Sequence, residues 1–293
     1  MKKIYFFVLM LVGFACSQPN QQNEAQENQK AQNEKAQGSA KPTTQESQEV
    51  VDSVLVNLME TVPAKGTILI YDYQQKRYYS NDFDWARRGY LPASTFKIPN
   101  SLIALEVGTV KNDSSWIKWD GKMRYLKAWE QDLIFRQAFH LSCLPCYQEL
   151  SRKAGEKQMR TWVDKLNYGK MVVDSTNYDE FWVAGDSRIT PFEQIDFLMR
   201  FHENKLPISA RTDKIAKRMM IKKQTDQYIL RAKTGLSNPG GKFNGWFVGY
   251  VEKGENLYFF ATNMDPKPGI KSKQFIPLRV EVTMKALQQK GIL

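Results

Sequence analysis

The sequence predicts an α+β fold: an antiparallel β-sheet flanked by helices, with an α-rich insertion. Three observations predict it. Residues 66–71 are an apolar run rich in β-formers, with a short partner at 76–80; residues 112–225 are dominated by helical patterns; and three strand-like runs crowd into residues 227–262 before a final helical one. Strands, then helices, then strands and a helix imply an antiparallel sheet backed by helices. The chain has 293 residues, 42% of them hydrophobic, enough to bury the core of one large domain or two small ones.

From the N-terminus, Lys2 and Lys3 precede the apolar run 4–15, which is too short to span a bilayer and reads as an export leader. Residues 1–16 are therefore assigned to a signal peptide. Cys16 is a candidate for lipidation, although Gly13 and Phe14 depart from the leucine and small residue usual before a lipidated cysteine. Simple cleavage and a lipid anchor both stay open. Residues 17–48 are rich in Gln, Asn, Glu and Lys and lack aromatics, the composition of a disordered polar tether. The folded domain is placed at 49–293.

Within it, residues 50–59 have apolar side chains at helical spacing, and 66–71 with 76–80 form a strand and its hairpin partner. A helix follows, opened by Ser94. Pro99 lacks an amide hydrogen, so that helix must begin irregularly or settle beyond the proline. Residues 156–166 and 191–204 read as helices, 227–232, 246–251 and 257–262 as strands, and 277–290 as a closing helix. No internal repeat is visible.

A formal charge of +11 suits anionic ligands, but the basic residues are scattered over what reads as a solvated surface. There is no zinc-finger spacing, no interleaved basic and aromatic motif and no glycine-rich phosphate loop, so nucleic acid is not an expected partner. Cys143-Leu144-Pro145-Cys146 has the spacing of a redox pair. Two small apolar side chains near the core are the expected reading, and with no second pair no metal site is expected. The only histidines, His140 and His202, are expected to be structural, which disfavours histidine-based hydrolysis.

Chemistry concentrates at Ser94-Thr95-Phe96-Lys97, where a hydroxyl precedes an amine by one helical turn. A serine is a poor nucleophile unless a neighbour takes its proton, and Lys97 serves only if it is not an ordinary ammonium. A second Ser-x-x-Lys, residues 115–118, lies in a polar stretch and reads as a solvated turn. Lys233-Thr234-Gly235 sits at the end of a predicted strand, where glycine permits close approach of a ligand and the lysine and hydroxyl suit a carboxylate. Paired with an upstream Ser-x-x-Lys it is the pattern of penicillin-recognising serine enzymes.

The chain resembles the class D serine β-lactamases, the oxacillin-hydrolysing type, over roughly residues 49–293. Beyond the two motifs above, the supporting stretches are Trp119-Asp120-Gly121-Lys122, Tyr147-Gln148-Glu149-Leu150, Phe181-Trp182 and Gly245-Trp246-Phe247-Val248-Gly249-Tyr250, all in the family's order. The family's Ser-x-Val appears as Ser142-Cys143-Leu144. Penicillin sensors tend to carry asparagine at the third position, so Leu144 leans towards an enzyme. The family's Tyr-Gly-Asn appears as Tyr168-Gly169-Lys170, a departure whose effect stays open.

The resemblance implies the penicillin-recognising fold, β-lactam small molecules as ligands, and an exported protein of the bacterial periplasm, soluble or anchored to the membrane through Cys16. It implies no diffusible cofactor; instead carbon dioxide carboxylates Lys97, and the carbamate serves as general base for acylation of Ser94 and for release. An ammonium does not attack carbon dioxide, so Lys97 must be buried enough to lose its proton, with Phe96, Ile98, Leu144 and Trp182 as candidate lining. Trp182 is implied to donate its indole hydrogen to the carbamate. The amides of Ser94 and Leu236 are implied to hold the oxyanion, Ser142 to relay a proton to the departing nitrogen, and Lys233 to supply positive potential. Thr234, Gly235 and Arg279 are implied to bind the substrate. A non-hydrolysing sensor and a cell-wall peptidase are the alternatives; both share Ser94 and Lys97.

Overall fold

Ile68 and Ile70 face one hydrophobic core while Leu69 and Tyr71 face another, so a single strand separates two layers of helix by its period of two. In the computed structural model of the chain the described residues are 47–293; the leader, Cys16 and nearly all of the predicted tether lie outside them. In chain order come β1 (Gln48–Val51), α1 (Ser53–Glu60), β2 (Ala64–Asp72), β3 (Arg77–Ser80) and α2 (Phe83–Ala86). A 3-10 turn (Ala93–Phe96) then runs into α3 (Lys97–Val107). The helical region holds a small hairpin, β4 (Trp116–Ile117) with β5 (Leu133–Ile134), and then α4 (Phe135–His140), α5 (Leu144–Ala154), α6 (Glu156–Leu166), α7 (Pro191–His202) and α8 (Ala210–Met219). The chain returns to the sheet as β6 (Ile221–Gln224), β7 (Ile229–Ser237), β8 (Asn244–Lys253) and β9 (Asn256–Pro266), and closes with α9 (Ser272–Gln289).

Among the described residues the sheet has seven strands in the order β1-β3-β2-β9-β8-β7-β6. It is antiparallel except at one edge, where β1 runs parallel to β3. That edge strand was not expected: Gln48 and Glu49 straddle the predicted tether boundary, and four residues reading Gln-Glu-Val-Val carry no apolar alternation to reveal it. On β8, Trp246, Val248 and Tyr250 face the layer built around α3, whereas Phe247 and Val251 face α1 and α9. The molecule is thus an α/β/α sandwich with the α-rich insertion on one face.

α3 is the centre of the helical layer on that face. Lys97 to Leu105 are all buried, as in a helix enclosed on every side. It ends at Gly108, which takes the left-handed conformation (φ 83°) that stops helices. Pro99 is its third residue, where the missing amide hydrogen is one that no helix could bond anyway. The expected irregular entry is the 3-10 turn. Pro277 is a different case, because α9 starts upstream of it at Ser272 and continues through it. The predicted start at residue 277 was therefore five residues late.

Candidate active site

The turn that carries Ser94 is held from three sides. Ala93 has φ 49°, a left-handed conformation that a residue with a β-carbon adopts only when its surroundings impose it. Its N–H donates to the Trp182 carbonyl at 2.7 Å. Thr95 donates its hydroxyl to the Pro92 carbonyl (2.6 Å) and accepts from Gln194 Nε2 (2.9 Å), while the Tyr168 hydroxyl lies 2.9 Å from Thr95 Oγ1 and 2.8 Å from Gln194 Oε1. All three side chains are fully buried, so this network is worth most where water cannot replace it. Ser94 alone among residues 91–100 stays partly exposed. The nucleophile is thus rigid below and open above.

The third side is β7. Gly235 runs so near the turn that a β-carbon there would lie 3.2 Å from the Pro92 carbonyl and 3.2 Å from Thr95 Cγ2. The Lys-Thr-Gly segment thus runs beside the turn that carries Ser94, with Leu236 following it on the same strand.

Lys97 has no exposed surface. Its Nζ lies 3.2 Å from Ser94 Oγ and 5.0 Å from the centre of the Tyr147 ring. Burial alone pushes its ammonium down to about 7 from an ordinary 10.5. Phe96, Ile98 and Trp182 are buried with it, and Leu144 packs against the same core half-buried. The Trp182 indole stacks on Phe96 at 5.3 Å, and its Nε1 is buried without a hydrogen-bond partner. A buried indole N–H normally finds an acceptor, so this one is a vacant donor.

Lys233 donates to Ser142 Oγ in a short contact and to the Thr234 carbonyl at 2.9 Å. Burial, and then the positive charges of Lys97, Arg279 and Lys222, hold its ammonium well below the usual lysine range. Ser142 is itself left-handed (φ 52°). It does not cap the following helix; Cys143 is the N-cap of α5. Arg279 is 8% exposed and its stem lies against Gly245, the register partner of Leu236 on β8. Its Nη1 donates to the Ile276 carbonyl, its Nε has no partner, and burial lowers the guanidinium to about 10. No pairing with Glu281 forms.

One sequence expectation changes, and one question left open finds an answer. Cys143 and Cys146 are joined by a disulfide across the first turn of α5, not simply small apolar side chains, because the N-terminal turn brings residues three apart face to face with Cα atoms 5.4 Å apart. Lys170 is exposed and enters the structure through its backbone, which pairs with Arg188. At the second Ser-x-x-Lys, Ser115 Oγ accepts backbone amides and Lys118 pairs with Asp132 at 2.6 Å, as in a solvated turn, and His202 meets Glu252 at 3.2 Å. Sequence reasoning missed Tyr147 as a wall of the Lys97 pocket and missed the network of Thr95, Tyr168 and Gln194. Tyr147 and Tyr168 stood in quoted motifs; nothing local marks Gln194, 99 residues from Thr95.

Comparison with known proteins agrees with this geometry. Residues 58–279 match the model of the penicillin-binding protein transpeptidase domain. The chain is 38% identical over 231 residues to β-lactamase OXA-10 of Pseudomonas aeruginosa, covering 78% of this chain and 85% of that protein, and 38% identical over 230 residues to OXA-48 of Klebsiella pneumoniae, with the same coverage. The crystal structure of a class D β-lactamase from Nostoc superposes with a TM-score of 0.79 at 40% identity, covering 83% of this chain and all of that one. On these similarities, over most of its length, the chain belongs to the class D serine β-lactamases.

Proposed function

We infer that this enzyme hydrolyses β-lactams through an acyl-enzyme on Ser94, with Lys97 as the base. One observation carries the assignment of the base. Lys97 Nζ is fully buried, sits 3.2 Å from Ser94 Oγ and titrates near neutrality, so at neutral pH much of it is an amine able to take a proton.

The residues also fit carboxylation of Lys97. The charged neighbours that lower Lys233 are all cations, so the pocket favours an added anion, and Trp182 Nε1 is a buried donor lacking an acceptor. Carboxylated, Lys97 would supply a stronger, anionic base, with Trp182 as its donor. In acylation, Ser94 Oγ attacks the lactam carbonyl as its proton passes to Lys97, and the amides of Ser94 and Leu236 take the oxyanion. Ser142, held by Lys233, delivers a proton to the departing nitrogen. Thr234 and the Arg279 guanidinium bind the substrate carboxylate, with Gly235 keeping the strand low enough for the ring to lie along it. Water then enters beside Lys97, which deprotonates it to release the product.

Turnover of a chromogenic cephalosporin in degassed buffer, repeated with bicarbonate, tests this. Many turnovers raised by bicarbonate support hydrolysis with a carboxylated Lys97. Many turnovers indifferent to bicarbonate overturn the carboxylation, and one stable equivalent on Ser94 overturns the hydrolase in favour of a sensor or peptidase.

Export is part of the same proposal, with Cys16 as the candidate lipid anchor and the bacterial periplasm as the compartment. Incorporation of labelled palmitate into the wild-type chain and its loss in Cys16→Ser would support the anchor; no incorporation leaves simple cleavage. Among the described residues no helix is long and apolar enough to cross a membrane.

A further inference from the structure

Ser142 is the one proposed proton carrier that stands on a strained backbone, and the disulfide begins at the next residue. Its φ of 52° is a conformation that serine rarely adopts without constraint. On one side, the N–H of Ser142 donates to the Phe139 carbonyl (3.1 Å) and that of Cys143 to the Ala138 carbonyl (2.9 Å). On the other, Cys143 is tied to Cys146 across the first turn of α5. Only Leu141 and Ser142 separate this bracket from α4, so Ser142 has little freedom except through it. Cys143 has no exposed surface, whereas Cys146 is partly exposed and borders a surface hollow shared with Trp119, Trp129 and Pro145.

We propose that the Cys143–Cys146 disulfide is a positioning clamp that keeps Ser142 Oγ against Lys233, and that thiols release it through Cys146. It rests on the proton-relay role given to Ser142 above. A thiolate attacks Cys146 Sγ, the protein S–S bond breaks, and Cys143 departs as a thiolate that takes a proton. A second thiol then frees Cys146, so the external thiols become a disulfide and the protein regains two thiols. Without the bracket, Ser142 relaxes from the left-handed region and its hydroxyl leaves Lys233. The step that suffers is ring opening, where the departing nitrogen needs its proton. Deacylation, which uses Lys97, does not call on it. The proposal therefore links full activity to a compartment that oxidises cysteine pairs.

The test uses the full chain carrying Cys16→Ser, so that one cysteine pair remains. Acylation by benzylpenicillin and release of the product are timed separately, before and after complete reduction with dithiothreitol, with the two free thiols counted by alkylation. Reduction is expected to slow acylation on the order of tenfold and to leave release unchanged. Reoxidation should restore the rate, and Cys143→Ala/Cys146→Ala should match the reduced enzyme. In Ser142→Ala, already slow in acylation, reduction should have no further effect. Unchanged acylation after reduction, or an equal slowing of acylation and release, overturns the clamp. If Ser142→Ala acylates at the wild-type rate, the relay role fails and the clamp fails with it. A slow Ser142→Ala beside a reduction-insensitive parent leaves the relay standing and removes only the clamp.

Discussion

Gly235 approaches Pro92 too closely to leave room for a side chain: a β-carbon on Gly235 would lie 3.2 Å from the Pro92 carbonyl oxygen and 3.1 Å from Trp246 Cβ. Neither neighbour is a flexible side-chain end, so Gly235→Ala requires β7 and the Ser94 turn to part by a few tenths of an ångström. Acylation of Ser94 by benzylpenicillin is expected to fall about 10²-fold, since a displacement of this kind misplaces the nucleophile. The same change should lower unfolding free energy by about 1–3 kcal/mol in urea denaturation. An acylation rate near wild type would mean that this close approach does not set the geometry.

Lys97 should make the enzyme sensitive to acid. With the ammonium at about 7, the basic form is lost as pH falls below that value. Turnover of a chromogenic cephalosporin should drop about tenfold per pH unit on that limb, once the protonated form dominates. A profile flat well below pH 7 would remove Lys97 from the role of base.

The same burial has a stability signature of definite sign. In the folded enzyme Lys97 binds its proton below about 7 and in the unfolded chain below about 10.5, so the unfolded chain holds the extra proton between those values. Stability therefore rises with pH across that window. In buffer freed of carbon dioxide, Lys97→Met is expected to stabilise the fold by roughly 3–5 kcal/mol below pH 7, the gain fading towards pH 10.5. Denaturation at two pH values on either side of the window checks both the size and the slope.

Trp182→Phe separates the indole N–H from the ring. A phenyl group keeps the stack on Phe96 but donates nothing. Activity without added bicarbonate should fall about tenfold or more, with recovery at high bicarbonate, because the proposed carbamate on Lys97 would lose one charge-assisted hydrogen bond. The carbamate carbon, followed by NMR with labelled bicarbonate, gives an independent reading.

Arg279→Ala is expected to raise KM for carboxylate-bearing substrates by about 10–100-fold with a smaller effect on kcat, the pattern of lost substrate binding. Arg279→Lys should recover only part of it, because a point charge does not reproduce the guanidinium fork. Steady-state kinetics on one penicillin decides it.

Much of this architecture was legible because it is local. The β2 and β3 hairpin, the three C-terminal strands, α6 at Glu156–Leu166 and the irregular turn before Pro99 each follow from side-chain periodicity or from the missing amide hydrogen of proline. The misses were of another kind. β1 is four residues, Gln-Glu-Val-Val, without alternation, and its strand is completed by pairing with β3, while α9 begins before Pro277 because a helix can absorb a proline once packed against a sheet.

The sequence by itself determined which chemical groups exist and in what order: a serine one turn before a lysine, a Lys-Thr-Gly at a strand end, a family pattern spanning both. It could not determine the state of those groups. The Lys97 ammonium is depressed because nine consecutive residues of α3 are enclosed on every side, and that enclosure is made by Tyr147, Phe181 and Trp182 from distant segments. The disulfide likewise needed a helical turn to bring Cys143 and Cys146 together. A pKa or a cross-link depends on distance and dielectric, which are set by packing between elements, whereas periodicity and motif are properties of neighbours along the chain.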